Sequence, residues 1–458
     1  RGSQLLVARA LALQCMAQRN LGEVPKAIEL CARAKEIFAA TGDLSGVAHT
    51  LNNLGNCYYD QGNLAGAKKT YEETLTIYRK IGNQSGLAGA MDNIASVLGD
   101  MGKLEEAKKL SQGALKLYRE IGDYTGEGET LNNIAAQYVT EGNLVDAALA
   151  FEESLNLWKL KGDKNGMATA LTNLAEMLLD QGKLAESKSK YEEALAIFTE
   201  AGQKGKTTYQ LIGLGAVLYA QGELPSAREK YEEVVTMVRE NQDKHQLSAA
   251  LAGLGAVLLS AGDVKGASEK YEESLKIRKE IGEKATEAES AVGLAQVALE
   301  EKRAGEAEKL ARAALQEFRK EKLREDEIVA RGVLAEALLA QGKSRDARKE
   351  IEAGAALAAK TSMVSVRLEF AIAEARVRGA TGNVDEAVKS LQASQAEADE
   401  YGYGGNSYEI QLVLAELEMK SGKAAAGRTR MKSLAKVARA KGFGLIADKA
   451  ARALGSEA

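Results

Sequence analysis

The chain is poor in the residues that usually carry catalysis or metal binding. In 458 residues it has two prolines, two histidines, three cysteines and one tryptophan. With only His49 and His245, a Ser/His/Asp or Cys/His centre has almost nothing to be built from. His49 points in the direction of an inner helix surface and His245 sits in a turn between repeats; both read as ordinary surface histidines. Cys15, Cys31 and Cys57 form no CxxC, so neither a zinc site nor a disulfide framework is expected. The cysteine pattern points to a reducing, cytoplasmic setting. There is no run of about 18 apolar residues and no signal-peptide pattern, which argues against a membrane span. No Gly-rich phosphate loop followed by Lys-Ser/Thr is found. The GLGAVL strings at Gly213 and Gly253 lie in helical patterns with no strand before them, so a dinucleotide site is rejected. Lys and Arg number 61 against 65 Asp and Glu, a net charge of −4 that makes no case for nucleic acid. No enzyme activity, metal or cofactor is expected.

What the chain has in abundance is register. Gly22, Gly62, Gly102, Gly142, Gly182, Gly222 and Gly262 fall 40 residues apart; Lys302 interrupts, and Gly342, Gly382 and Gly422 resume. Five residues later a small-residue series runs through Ala27, Ala67, Ala107, Ala147, Ser187, Ala227, Ala267, Ala307, Ala347, Ala387 and Gly427. Such a period means units that bury their apolar face only on neighbours, about eleven of them. In residues 51–90, Leu51, Leu54 and Tyr58 mark one helical face; Leu64, Ala67, Tyr71, Leu75 and Tyr78 mark a second. Gly62-Asn63 stops the first helix and caps the next. Both prolines, Pro25 and Pro225, stand at the start of a second helix, where proline is tolerated. Trp158 shares a packing slot with Tyr78 and Tyr118. Adjacent glutamates such as Glu72-Glu73 diverge around a helix and read as a solvated outer face, not a carboxylate dyad.

Fidelity falls along the chain. Residues 1–290 form the regular array. Residues 291–458 are degenerate: Lys302 and Lys322 replace turn glycines, and the aromatic slot of Tyr71, Phe151, Tyr191, Tyr231 and Tyr271 becomes Ala311, Ile351, Leu391 and Met431. The last second helix is basic (Lys423, Arg428, Arg430, Lys432, Lys436) and reads as a polar cap. Gly2 aligns with Gly42 and Gly82, so the chain opens at an inter-repeat turn, as a piece of a longer protein would; Arg1–Ser3 as a cloning remnant is the other reading.

Leu51, Leu54, Gly55, Tyr58, Ala67 and Tyr71 stand where the tetratricopeptide repeat places its signature residues, and the whole chain resembles that family. The period is longer than the usual ~34, similar to kinesin light chains, spindle-orientation adaptors and bacterial regulatory arrays. The resemblance implies an all-α, right-handed superhelical solenoid of about eleven helix-turn-helix repeats, first helices lining the concave side.

On that basis the expected peptide-binding residues are Asn52, Asn53, Asn56, Tyr59, Asp92, Asn93, Asn132, Asn133, Asn173, Glu176 and Tyr219, with Asp60, Asp100 and Asp180 as further acidic points. Asparagine is a poor helix-interior residue, and its amide both donates and accepts, which suits an extended peptide backbone. Copying by repeat duplication explains the recurrence equally well. Further on the same slots become Gly213, Gly253 and Gly293, suggesting a second, apolar stretch with room for a bulky ligand residue; a capping segment or protomer could fill it instead. The expected function is a protein- or peptide-binding scaffold acting through the concave groove. The alternative is a ligand-sensing or regulatory module of a bacterial multidomain kinase or transcriptional regulator. Self-association through the solenoid ends is a further possibility.

Overall fold

The computed structural model describes residues 2–241 and 243–455; Arg1, the first residue of the supposed remnant, lies outside them. Among the described residues there are 23 α-helices and no strand. They alternate as expected: α1 (Gly2–Asn20) and α2 (Val24–Thr41) form the first hairpin, α3 (Leu44–Asp60) and α4 (Leu64–Ile81) the second, and so on through α21 (Gly404–Lys420) and α22 (Ala424–Ala440). A single helix, α23 (Gly444–Gly455), ends the array.

The repeating turns follow from backbone chemistry. Gly62 and Gly82, φ 71° and 70°, stand for a glycine in the left-handed region about every 20 residues. There a glycine closes the helix end without the Cβ penalty. Where glycine is lost the turn persists: Lys302 and Lys322 adopt φ 60° and 61°. At the next residue Asp43, Asn63, Asn83 and Asp123 each accept a hydrogen bond from a backbone N–H three residues on. The small slot is fully closed, with Ala27, Ala67, Ala107 and Ala147 all at 0% exposure. Trp158 is packing, as its slot predicted: its ring lies where a Cβ on Gly166 would be 2.3 Å away, and its indole N–H reaches Ser154 Oγ at 3.0 Å.

One expectation fails. Cys15 on α1 and Cys31 on α2 form a disulfide, with Cα atoms 5.5 Å apart. Both are buried, beside the free thiol of Cys57. A helical hairpin brings residues 16 apart face to face, so the absence of CxxC says nothing about pairing here. The reducing compartment read from the cysteines loses its basis.

Contacts divide the chain into two compact units, up to Ala170 and from Leu171 onward, the division falling inside α9 (Lys164–Asp180). In the first unit the buried apolar groups form small clusters, each shared by neighbouring hairpins, such as Tyr71 with Ile94, Leu98 and Ala107. First helices also touch the next first helix, α1 against α3 and α5 (Gln84–Asp100) against α7 (Tyr124–Thr140), whereas second helices make no comparable contacts. First helices therefore line the inner side.

The second unit packs differently. One apolar cluster joins Leu211, Leu254, Leu258 and Leu259 to Leu412, Leu434, Phe443 and Ala447; another joins Leu184 and Tyr191 to Leu368, Leu391 and Ile410. The unit closes on itself. Turn glycines of early repeats seat on helix starts of late ones: Gly182 on Val364, Gly222 on Gly404, Gly262 on Gly444, each pair 182 residues apart. A Cβ on Gly404 would lie 2.4 Å from the Gln221 carbonyl oxygen, and one on Gly444 2.2 Å from that of Ala261. Tyr403 donates to the Leu179 carbonyl at 3.2 Å, and Lys441 reaches Glu223 at 3.2 Å. The terminal helix α23 belongs to this closure, packing on α13 (Lys244–Ala261) and α21 as well as α22.

Candidate binding wall and cavity

In the first unit the side chains expected to meet a peptide stand at half-buried positions on first helices, and much of their polarity is already used. Asn93 donates to Asn52 Oδ1 at 2.8 Å. Arg19 forms a two-point ion pair with Asp60, 2.6 and 3.1 Å. The Tyr59 hydroxyl is held by the Asp100 carboxylate, which pushes its pKa up to about 12. The Asn93–Asn52 and Arg19–Asp60 bonds and the Tyr59–Asp100 pairing each join residues 41 apart, one repeat plus one residue. Side chains of successive first helices thus pair sideways along the wall. Asn56 instead accepts from the Tyr71 hydroxyl at 2.5 Å, within its own hairpin.

Asp92 is buried and accepts from the Thr130 hydroxyl, while its Oδ1 has no partner. Burial pushes its carboxyl up to about 7. The Asn132 side-chain oxygen is likewise buried without a partner. Asn53 and Asn133 carry amides with no hydrogen bond to another described residue. The asparagine ladder is therefore not uniform: Asn52, Asn56 and Asn93 are tied into the wall, and Asn53 and Asn133 are unused.

In the second unit, Asn173 is half-buried on α9. Glu176 accepts from the Tyr209 hydroxyl, and Tyr219 pairs with Ser260 at 3.1 Å, again 41 apart. Asp180 is pushed up to about 7 by burial, with Glu176 and Glu325 adding to it. The expected open apolar stretch is not open. A Cβ on Gly213, Gly253 or Gly293 would meet the ring of Tyr191, Tyr231 or Tyr271 at 2.3–2.4 Å. The chain's own tyrosines fill the room those glycines leave, so no bulky ligand residue fits against them. Glycine at this slot together with tyrosine 22 residues before it was the available signal.

Closure of the second unit encloses a cavity of about 170 Å³. Its walls come from α11 (Lys204–Ala220), α13, α15 (Lys284–Glu300), α17 (Arg324–Ala340), α19 (Val364–Ala380), α21 and α23. Tyr219 and Phe443 form part of the wall. Arg376 bridges Glu336 at 2.6 Å and Glu409 at 2.8 Å; Lys449 pairs with Glu300. Glu369 faces the same space and takes no hydrogen bond or ion pair from a described residue. Protein surrounds it, and that burial together with Glu409 pushes its carboxyl up to about 7, although cavity water still reaches it. None of this cluster stands among the expected site residues. Its signal was a slot change at the start of first helices, from Lys244, Lys284 and Arg324 to Val364, Gly404 and Gly444. Exposed long side chains give way there to residues that permit close approach.

Hairpins of equal length, stacked with first helices inward, define an α-solenoid of the helix-turn-helix repeat class. Residues 205–445 match the MalT-like TPR region, and residues 6–80, 87–160 and 166–240 match the tetratricopeptide repeat. The chain belongs to the tetratricopeptide repeat family. A comparison with curated proteins finds no match. Among solved structures, aspartyl phosphate phosphatase F from Bacillus subtilis is 15% identical with a TM-score of 0.52, covering 63% of this chain and 75% of its own. The apo form of RapI is 14% identical, TM-score 0.48, over 60% of this chain and 98% of its own. Yeast Tom70 is 15% identical, TM-score 0.37, over 98% of this chain and 96% of its own. At such identities the likeness concerns the fold alone.

Proposed function

We propose that the chain is a protein- or peptide-binding scaffold that engages an extended partner segment along the first-helix wall of its first unit. The observation that carries this reading is the pair of unused amides, Asn53 and Asn133, on a wall whose other polar groups are largely paired. Leaving such an amide half-buried and unpaired costs stability, and a partner's backbone N–H and C=O groups would repay it. Peptides selected on the wild-type chain from a random displayed library provide the test. Asn53→Ala with Asn133→Ala should weaken them tenfold or more, with helical content unchanged. Asn52→Ala, which disturbs only the lateral pair, should weaken them less. Equal binding by wild type and the double variant would end this reading.

The second reading, a ligand-sensing or regulatory module, is favoured by the enclosed cavity of the second unit. A closed, polar-lined space is a common setting for small-molecule binding. A module that reports occupancy needs a contact that can open, and the glycine seam at Gly222–Gly404 and Gly262–Gly444 is of that kind.

A further inference from the structure

We infer that the cavity of the second unit takes a small organic cation, a guanidinium or ammonium head on a short chain, with Glu369 as its counter-charge. The inference rests on the sensing reading of that unit and is independent of the scaffold reading of the first. Charge decides the class of ligand. Six ionisable side chains from five helices face the space: Glu300, Glu336, Glu369 and Glu409 against Arg376 and Lys449. Arg376 is shared by Glu336 and Glu409, and Lys449 serves Glu300. Both cations are thereby spent, and Glu369 is left without one. An unpaired carboxylate enclosed by protein is costly, and an entering cation removes that cost. An anion would add to the surplus negative charge, and a neutral molecule would leave Glu369 as it is.

Size and wall chemistry agree. A cavity of about 170 Å³ is of the order that admits a benzene-sized guest, ~150 Å³. Tyr219 and Phe443 offer aromatic surface to a short stem or to the cation itself. The Tyr219 hydroxyl is already engaged by Ser260, so the ring and not the hydroxyl faces the guest's needs.

Calorimetric titration of the full chain with n-butylguanidine, n-butylamine, the neutral n-butylurea and the anion butyrate at pH 8 tests this. Both cations should bind, and n-butylurea and butyrate should bind at least tenfold more weakly. Glu369→Gln keeps the side-chain volume and should weaken the cations tenfold or more while leaving n-butylurea unchanged. Should that variant fold poorly, hydrogen exchange on the wild type still decides: n-butylguanidine should slow exchange in α19 and α21. Neutral and cationic probes binding alike would overturn the cation assignment while leaving the sensing reading intact. No binding or protection by any probe, of either charge or none, would overturn both.

Discussion

The two units are built from one repeat and held together in two ways. In the first, every apolar cluster is shared between neighbouring hairpins, so stability is local and adds up along the chain. In the second, residues about 180 apart in sequence touch, and clusters include both early and late repeats. A stretch ending at Ala170 is shorter than that 182-residue offset and cannot make such a contact with itself. The contrast teaches that a repeat becomes cooperative over distance only when its array is long enough to meet itself and when the meeting residues are small. At the slot where the late repeats carry Gly404 and Gly444, the first unit carries Leu44, Gln84 and Tyr124, with Leu44 and Tyr124 exposed.

That contrast can be broken from either side. The largest effect is expected at Tyr231, whose ring is packed between Gly215 and Gly253. Tyr231→Ala should cost about 3–5 kcal/mol in denaturant unfolding and loosen the late repeats as well as its neighbours. In the first unit Asp92 supplies a pH-dependent term. Its carboxyl is raised by burial from 3.8 to about 7. Between those values the unfolded chain holds fewer protons than the folded one, so stability must fall as pH rises from 4 towards 7. The first unit should be less stable at pH 8 than at pH 5, by on the order of a few kcal/mol. Asp92→Asn should flatten that profile in a thermal-melting series. Reduction of Cys15–Cys31, or Cys15→Ala, should cost about 2–4 kcal/mol, confined to the first hairpins in hydrogen exchange. The smallest effect is a gain: Lys302→Gly and Lys322→Gly should each relieve roughly 1–2 kcal/mol of left-handed backbone strain, read as a raised melting temperature.

The array itself was legible because its determinants are local. Gly62 needs its left-handed turn and Ala67 its close crossing wherever the neighbouring repeats lie. The tie between Asn93 and Asn52 was also within reach, since a 40-residue period with parallel first helices sets residues 41 apart side by side. The closure was not, because the curvature that brings Gly262 to Gly444 accumulates over several repeats from small packing differences that no single residue encodes. Gly213, Gly253 and Gly293 were read as room for a guest because their occupants, Tyr191, Tyr231 and Tyr271, belong to the preceding hairpin. Cys15 and Cys31 were missed for a similar reason: helical hairpin geometry, not a sequence motif, aligns them.

Hydrogen exchange on the full chain carrying Gly444→Val addresses the closure itself, since the new side chain must displace the Ala261 carbonyl from its 2.2 Å approach to the Cβ position. If early and late repeats of the second unit support each other, exchange should accelerate in α13 and α11 as well as in α23, while α3 to α7 of the first unit stay unchanged. Acceleration confined to α22 and α23, with α11 and α13 as protected as before, would contradict it.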